Sequence, residues 1–281
     1  MIAASSAVSQ HGDSDKENED PVINQLDPRE VAIVYNHGSS IEKMNKYFLC
    51  DISRYFANAF NGNFKESHSR VIRLRNDFPW AVYAMLKFLK SGSYYMYPRL
   101  LVEYPYITML DLHVHCYILA DKYDLVALGN YAMTGYLRIA GDVLSLDWAS
   151  DDPKYIYEPN SGACYRYFSI YEDIPSRDDD SPLVKYRPDD MCAAAEVDRF
   201  LCSIVLLWMS TPSGNDVLRK AALEMIKPCL VKLMRLKHFK MLFNVLEDFE
   251  KDLAMSLCDD GFGVLIKPYL GVPISDGVAF A

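Results

Sequence analysis

The side chains that could bind a metal ion are concentrated at His113-x-His115-Cys116. The apolar pattern around them predicts a helix, on which side chains two positions apart diverge by about 200°, so His113 and His115 cannot bind the same ion. Only His113 and Cys116 would face one side, and two ligands do not make a structural zinc site. We therefore predict neither a metal nor another cofactor, and we interpret Cys116 as a small core residue.

The sequence also lacks the common catalytic motifs. It contains no phosphate-binding G-x-x-x-x-G-K-S/T loop, no G-x-S-x-G turn and no H-E-x-x-H helix. Paired carboxylates occur at Asp151-Asp152 and Asp259-Asp260, where we predict loops with solvated side chains. These observations favour a protein that is not an enzyme, although distant residues can also assemble an active site.

Composition narrows the class of protein further. The 281 residues are 51% apolar, which is enough for one large domain or two small ones. A net charge of -9 argues against nucleic acid as a partner, because phosphate-backbone binding needs clustered cations. Seven cysteines without a C-x-x-C pair are typical of a reducing compartment, either cytoplasm or nucleus.

We expect no membrane segment and no secretory signal. The longest apolar run, residues 200–209 with Ser203 inside it, has roughly half of the about 20 residues that a bilayer requires. The first residues lack a basic start followed by an apolar run. Residues 1–28 are polar and acidic, which predicts a disordered leader, with a regulatory tail as the alternative.

The next segment predicts strands around one helix. Residues 31–35 and 41–46 predict a hairpin across the turn N-H-G-S-S. Apolar residues at helical spacing from 48 to 59 predict one helix, which ends at Asn61-Gly62-Asn63. Residues 71–75 alternate between apolar and charged, as a half-buried strand does.

The remaining periodic segments predict helices. One begins at Pro79 and ends at Gly92. Asn215 or Asp216 would cap a later helix that kinks or breaks at Pro228. The other predicted helices are 110–125, 126–139, 193–209 and 236–257, with a loop or short strand at 94–106. The periodicity fails from 147 to 190, where only the aromatic stretch 165–171 suggests a docked strand.

Within this order of strands and helices, several sequence motifs resemble those of a BTB (POZ) domain. The family pattern V-H-K-x-x-L-C-x-x-S-x-x-F is matched by M-N-K-Y-F-L-C-D-I-S-R-Y-F, in which Asn45 replaces the usual histidine but can still form a hydrogen bond. G-N-F-K-E-S at 62–67 and A-D-K-Y at 120–123 resemble the versions common in filamentous fungi. The helical C-terminal region of that type contains motifs similar to Thr211-Pro212, Asp216 and Leu218-Arg219.

The resemblance implies an α+β fold, the BTB/POZ fold, in which a small mixed sheet is combined with a cluster of helices. A mainly helical C-terminal region would follow, either packed against the domain or forming a small second unit. The predicted division is a leader at 1–28, the BTB/POZ domain at 29–140, an acidic linker or insertion at 141–190, the helical region at 191–260 and a tail at 261–281.

The resemblance also implies binding to other proteins. In BTB adaptors of cullin-type ubiquitin ligases a hydrophobic-x-Glu motif contacts the cullin, and Phe64-Lys65-Glu66 is the matching triplet here. An aromatic anchor beside a carboxylate suits such a contact; alternatively, Phe64 packs under the bend and Glu66 is solvated. Self-association into a homodimer is implied through the first strand and helix, using Val31, Ile33 and Phe48.

The leading hypothesis is therefore a protein–protein interaction module that serves as a substrate adaptor for a cullin-type ubiquitin ligase. The alternative is a BTB scaffold or transcription-associated regulator that does not bind a cullin. Direct DNA recognition is disfavoured, because the acidic chain has neither zinc-finger spacing nor a basic helix.

Overall fold

A computed structural model describes residues 26–145, 193–212 and 216–262 of the chain. The predicted docked strand at 165–171, and most of the predicted leader, linker and tail, lie outside these residues. The described residues form two compact units that meet in sequence between Arg75 and Asn76, and each unit is described separately. No helix within the described ranges is long and apolar enough to cross a membrane.

The first unit contains a mixed three-stranded sheet. Strands β1 (Glu30–Tyr35) and β2 (Ser40–Asn45) form the predicted antiparallel hairpin, and β3 (Val71–Arg73) pairs with β1 in parallel. The order β2-β1-β3 places β1 in the centre. Residues 31–35 of β1 are all buried, which agrees with their continuous apolar run rather than an alternating one.

Two short helices replace the single helix that we predicted from residues 48–59. Helix α1 (Lys46–Ile52) and helix α2 (Arg54–Asn61) are separated by Ser53, whose backbone is extended at φ -148° and ψ 123°. The Ser53 hydroxyl accepts the Phe56 N–H at 3.1 Å and so caps α2. The prediction of a continuous helix was wrong because this serine satisfies the backbone of a new helix start.

The second unit begins with four helices. They are α4 (Pro79–Ser91), α5 (Pro98–Glu103), α6 (Met109–Lys122) and α7 (Val126–Ser145), while α3 (Lys65–Ser69) belongs to the first unit. The predicted start at Pro79 and stop at Gly92, where φ is 77°, are confirmed. The prediction of a loop or short strand at 94–106 was wrong, because α5 forms there with Pro98 in its first turn.

Five further α-helices follow within the described ranges. They are α8 (Ala193–Ser210), α9 (Val217–Ile226), α10 (Leu230–Leu233), α11 (Lys237–Val245) and α12 (Glu247–Leu257). Asp216 caps α9 by accepting the Arg219 N–H at 2.9 Å, and a 3-10 turn at Lys227–Cys229 marks the predicted break at Pro228. The predicted helix 236–257 is instead two helices, because Leu246 leaves the helical conformation at φ -122° and ψ 85°.

One hydrophobic core connects the C-terminal helices with α6 and α7. Val114 and Tyr136 from the earlier pair share this core with Phe200, Ile204 and Leu207 of α8, all of them fully buried. The prediction that residues 200–209 form a buried helix is confirmed for most of the segment. The fold class is α+β as predicted, with a small mixed sheet and a mainly helical remainder.

Candidate protein-interaction site

The Phe64-Lys65-Glu66 triplet lies where the bend after α2 leads into α3, with Lys65 and Glu66 in the first turn of α3. Phe64 directly precedes α3 with an extended backbone, and 59% of its surface is exposed. Its ring lies against Gly62, where an added Cβ would come 2.6 Å from the Asn58 carbonyl and 2.9 Å from Phe64 Cδ2. Glycine is therefore required for this close approach, which supports one side of the ring and leaves much of the rest in solvent.

Local hydrogen bonds fix the backbone of this bend. The Phe64 carbonyl accepts the Ser67 N–H at 3.1 Å and the Ser67 hydroxyl at 2.7 Å. The Glu66 carbonyl accepts the N–H of Arg70, which ends α3 in the left-handed conformation at φ 54°. The Arg70 guanidinium donates in turn to the Asp27 carbonyl at 3.1 Å. The triplet is thus presented by an ordered turn.

The Glu66 side chain is half-buried. Among the described residues, its carboxylate has no hydrogen-bond or ion-pair partner. A carboxylate beside an exposed aromatic ring can offer a partner both apolar contact and a charge-assisted hydrogen bond.

The residues predicted for self-association are placed differently from one another. Val31 and Ile33 are fully buried in the central strand β1. These two side chains are therefore inaccessible to a partner in this conformation. Phe48 on α1 is 40% exposed, and its neighbour Tyr47 is more exposed still. Only Phe48 of the predicted set is available at the surface of this chain.

His113 and His115 of α6 contact different residues. His113 Nδ1 lies 2.7 Å from the Tyr94 hydroxyl, whereas the His115 ring packs 4.5 Å from that of Phe78, centroid to centroid. Burial lowers the pKa of each histidine to about 4, so both are neutral near pH 7. Within the described ranges, no three His, Cys, Asp or Glu side chains are grouped as metal ligands.

Cys116 is a core residue, as predicted. It is fully buried, and burial raises the pKa of its thiol to about 12. The protonated thiol is a poor nucleophile, so this position has none of the features of a reactive cysteine.

Two residues of the A-D-K-Y motif link the end of α6 to the residues before α4. The Lys122 ammonium lies 2.6 Å from Asp77 Oδ1, and the Tyr123 hydroxyl donates to Asp77 Oδ2. Asp77 is largely buried and lies just before α4. Lys122 and Tyr123 of this motif therefore join the end of α6 to the start of α4.

A buried arginine, Arg219, forms hydrogen bonds that link residues of the C-terminal motifs. Arg219 is only 2% exposed; its Nε donates to Thr211 Oγ1 at 2.8 Å, and its Nη2 donates to the carbonyls of Trp208 and Thr211. Asp252 Oδ2 lies 3.4 Å from Arg219 Nη1 and accepts the Trp208 indole N–H at 3.0 Å. The sequence did not predict this network, because its members are distant along the chain. Thr211 and Arg219 were noted only as parts of motifs that resemble the family.

Comparison with known proteins places the described sheet and first helices in a family. No curated protein matches the chain. Residues 24–120 match the family model of the BTB/POZ domain, and they include the whole sheet and the Phe64-Lys65-Glu66 triplet. BTB/POZ domains bind other proteins and are generally not enzymes. The chain therefore contains a BTB/POZ protein-interaction domain within residues 24–120.

Proposed function

We propose that this protein is a substrate adaptor of a cullin-type ubiquitin ligase and binds the cullin through Phe64 and Glu66. The observation that carries the proposal is an exposed aromatic ring next to a carboxylate with no partner among the described residues, both on a backbone fixed by hydrogen bonds. Fixed anchors of this kind are favourable because little conformational entropy is lost when they bind.

The proposal extends to the organisation of the chain. The BTB/POZ domain occupies 29–140 and is of the type common in filamentous fungi. An acidic linker or insertion at 141–190 separates it from a helical region at 191–260, with a leader at 1–28 and a tail at 261–281. Substrate recruitment falls to the helical region or to the insertion.

A pull-down of purified cullin tests this function. The Phe64→Ala, Glu66→Ala double variant should bind at least about 30-fold more weakly, because hot-spot side chains contribute roughly 2 kcal/mol or more. A control that removes an exposed aromatic ring and an exposed carboxylate elsewhere, Tyr106→Ala with Asp248→Ala, should bind normally. Equal cullin capture by the double variant and the wild type would refute the role of the triplet.

The alternative is a scaffold or transcription-associated regulator that never binds a cullin. Affinity purification followed by mass spectrometry separates the two functions. Recovery of a cullin supports the adaptor, whereas recovery of chromatin factors without a cullin supports the regulator.

We also propose self-association around the first strand and helix, because Phe48 presents an accessible aromatic surface there. The wild type should have the mass of a homodimer in light scattering. Phe48→Glu should be monomeric, since an unpaired charge is unfavourable in a desolvated interface. A wild-type monomer at high concentration would contradict self-association.

A further inference from the structure

A cleft of about 240 Å³ lies where α6, α7 and the start of α9 meet. Its apolar lining residues are Tyr117, Ala120, Leu125, Val126, Gly129, Met133 and Val217. The two longer helices approach closely at this point, because a Cβ added at Gly129 would lie 3.4 Å from the Ala120 Cβ. The cleft therefore results from helix packing within the second unit.

The apolar walls of this cleft extend to the surface. Val126 is 71% exposed at the start of α7, and Val217 is 59% exposed at the start of α9. Each would lose contact with water if an apolar group entered between them. The volume is below the roughly 300–1,000 Å³ typical of small-molecule pockets, so the cleft suits a single side chain better than a cofactor.

The rim of the cleft is acidic. Asp121 and Asp124 are both exposed, and neither carboxylate has a hydrogen-bond or ion-pair partner among the described residues. Asp124 is held at the end of α6 by a left-handed backbone with φ 51°. A third carboxylate, that of Asp216, accepts the Tyr117 hydroxyl at 3.1 Å beside the cleft.

The lysine of α6 pairs with a carboxylate that does not belong to this rim. Lys122 lies 2.6 Å from Asp77. An apolar cleft with two unpaired aspartates on its rim selects for a partner that is apolar at its centre and positively charged on either side, and it repels an acidic one.

We propose that this cleft binds a short segment of a partner protein in which one aliphatic side chain is flanked by lysine or arginine. The aliphatic group enters between Val126 and Val217, and the flanking cations pair with Asp121 and Asp124. This surface shares no residue with the proposed cullin contact at Phe64 and Glu66, so we expect it to bind its partner whether or not a cullin is bound.

Methyl NMR on the full chain tests the site with defined probes. The probe is the peptide acetyl-Gly-Arg-Leu-Arg-Gly-amide; the controls replace both arginines by glutamate or the leucine by glycine. The probe should shift the methyl signals of Val126, Met133 and Val217, while Met255, exposed on α12, should not respond. Neither control peptide should shift the cleft signals to a similar extent.

Variants assign the contacts. Asp121→Asn with Asp124→Asn should weaken probe binding about fivefold, as expected for two exposed ion pairs. Val217→Gln should also weaken it, whereas Asp248→Asn, an exposed control on α12, should not. The Phe64→Ala, Glu66→Ala variant should bind the probe normally, which separates this site from the proposed cullin contact.

Several results would overturn the proposal. They are unchanged cleft signals, equal shifts at Met255, equal binding of either control peptide, and unchanged affinity in the Asp121 and Asp124 variant. Since the substituted aspartates and valine are exposed, these variants should keep their fold, and circular dichroism verifies this.

Discussion

Replacing Arg219 by methionine would test what holds the C-terminal helices together. Methionine retains a long aliphatic side chain but removes every donor of the guanidinium. The carbonyls of Trp208 and Thr211 would lose that donor, as would the Thr211 hydroxyl. These groups lie at the end of α8, where the helix itself supplies no further N–H donors.

The expected loss of stability is about 3 kcal/mol. Hydrogen bonds from a charged donor to buried acceptors contribute roughly 1.5–3 kcal/mol each, and removing one partner of a buried pair costs about 3–5 kcal/mol. We take the lower end of the latter range for two reasons. Asp252 is half-buried and still accepts the Trp208 indole, and the substitution also removes the desolvation penalty of the arginine. For a unit of this size, that corresponds to a decrease in Tm of roughly 6–12 °C.

Urea and thermal unfolding followed by circular dichroism measure this loss. Arg219→Lys should be intermediate, because one ammonium cannot reproduce the planar fork of donors. Arg138→Met, at an exposed position on α7, is the matched control and should change stability by less than about 0.5 kcal/mol. Destabilisation below about 1 kcal/mol for Arg219→Met would refute the view that this network fastens α8, α9 and α12 together.

Two further predictions concern the histidines of α6. Gly135→Ala should destabilise the protein by about 1–3 kcal/mol, because the new Cβ would lie within 3.0 Å of three His113 ring atoms; thermal melts should show partial recovery when His113→Ala is added. Stability should also fall as the pH drops from about 6.5 towards 4, since the unfolded histidines bind protons there while native His113 and His115, with pKa about 4, do not. The free energy of unfolding changes by at most about 1.4 kcal/mol per pH unit for each histidine. The urea midpoints at pH 7 and pH 5 should therefore differ less for His115→Phe than for the wild type.

Local signals in the sequence predicted helix ends well where one residue determines the backbone. Pro79, Gly92, Asp216 and Pro228 act through the ring, a positive φ or a side-chain cap, and each effect is confined to a few neighbours. Leu246 has no comparable signal. It is a buried apolar residue without a capping side chain, so tertiary packing rather than local chemistry places the break there.

The accessibility of the predicted site residues was harder to read from the sequence. The apolar run at 31–35 indicates a strand buried on both faces, which is the arrangement in which Val31 and Ile33 are found. That pattern could have argued against a surface role for both side chains. Exposure of Phe64, in contrast, depends on the bend at Gly62 and the contact there, which no periodicity records.

Several residues of the motifs that resemble the BTB/POZ family are buried and hold helices together. Asp77, which pairs with Lys122 and accepts a hydrogen bond from Tyr123, is largely buried, and so are Thr211 and Arg219. Substitutions at these positions alter helix packing before they alter any partner contact. Exposed positions such as Phe64, Val126 and Val217 can change with little effect on the core. Under the proposed functions, partner choice can therefore change at these exposed residues while the buried motif residues continue to specify the same fold.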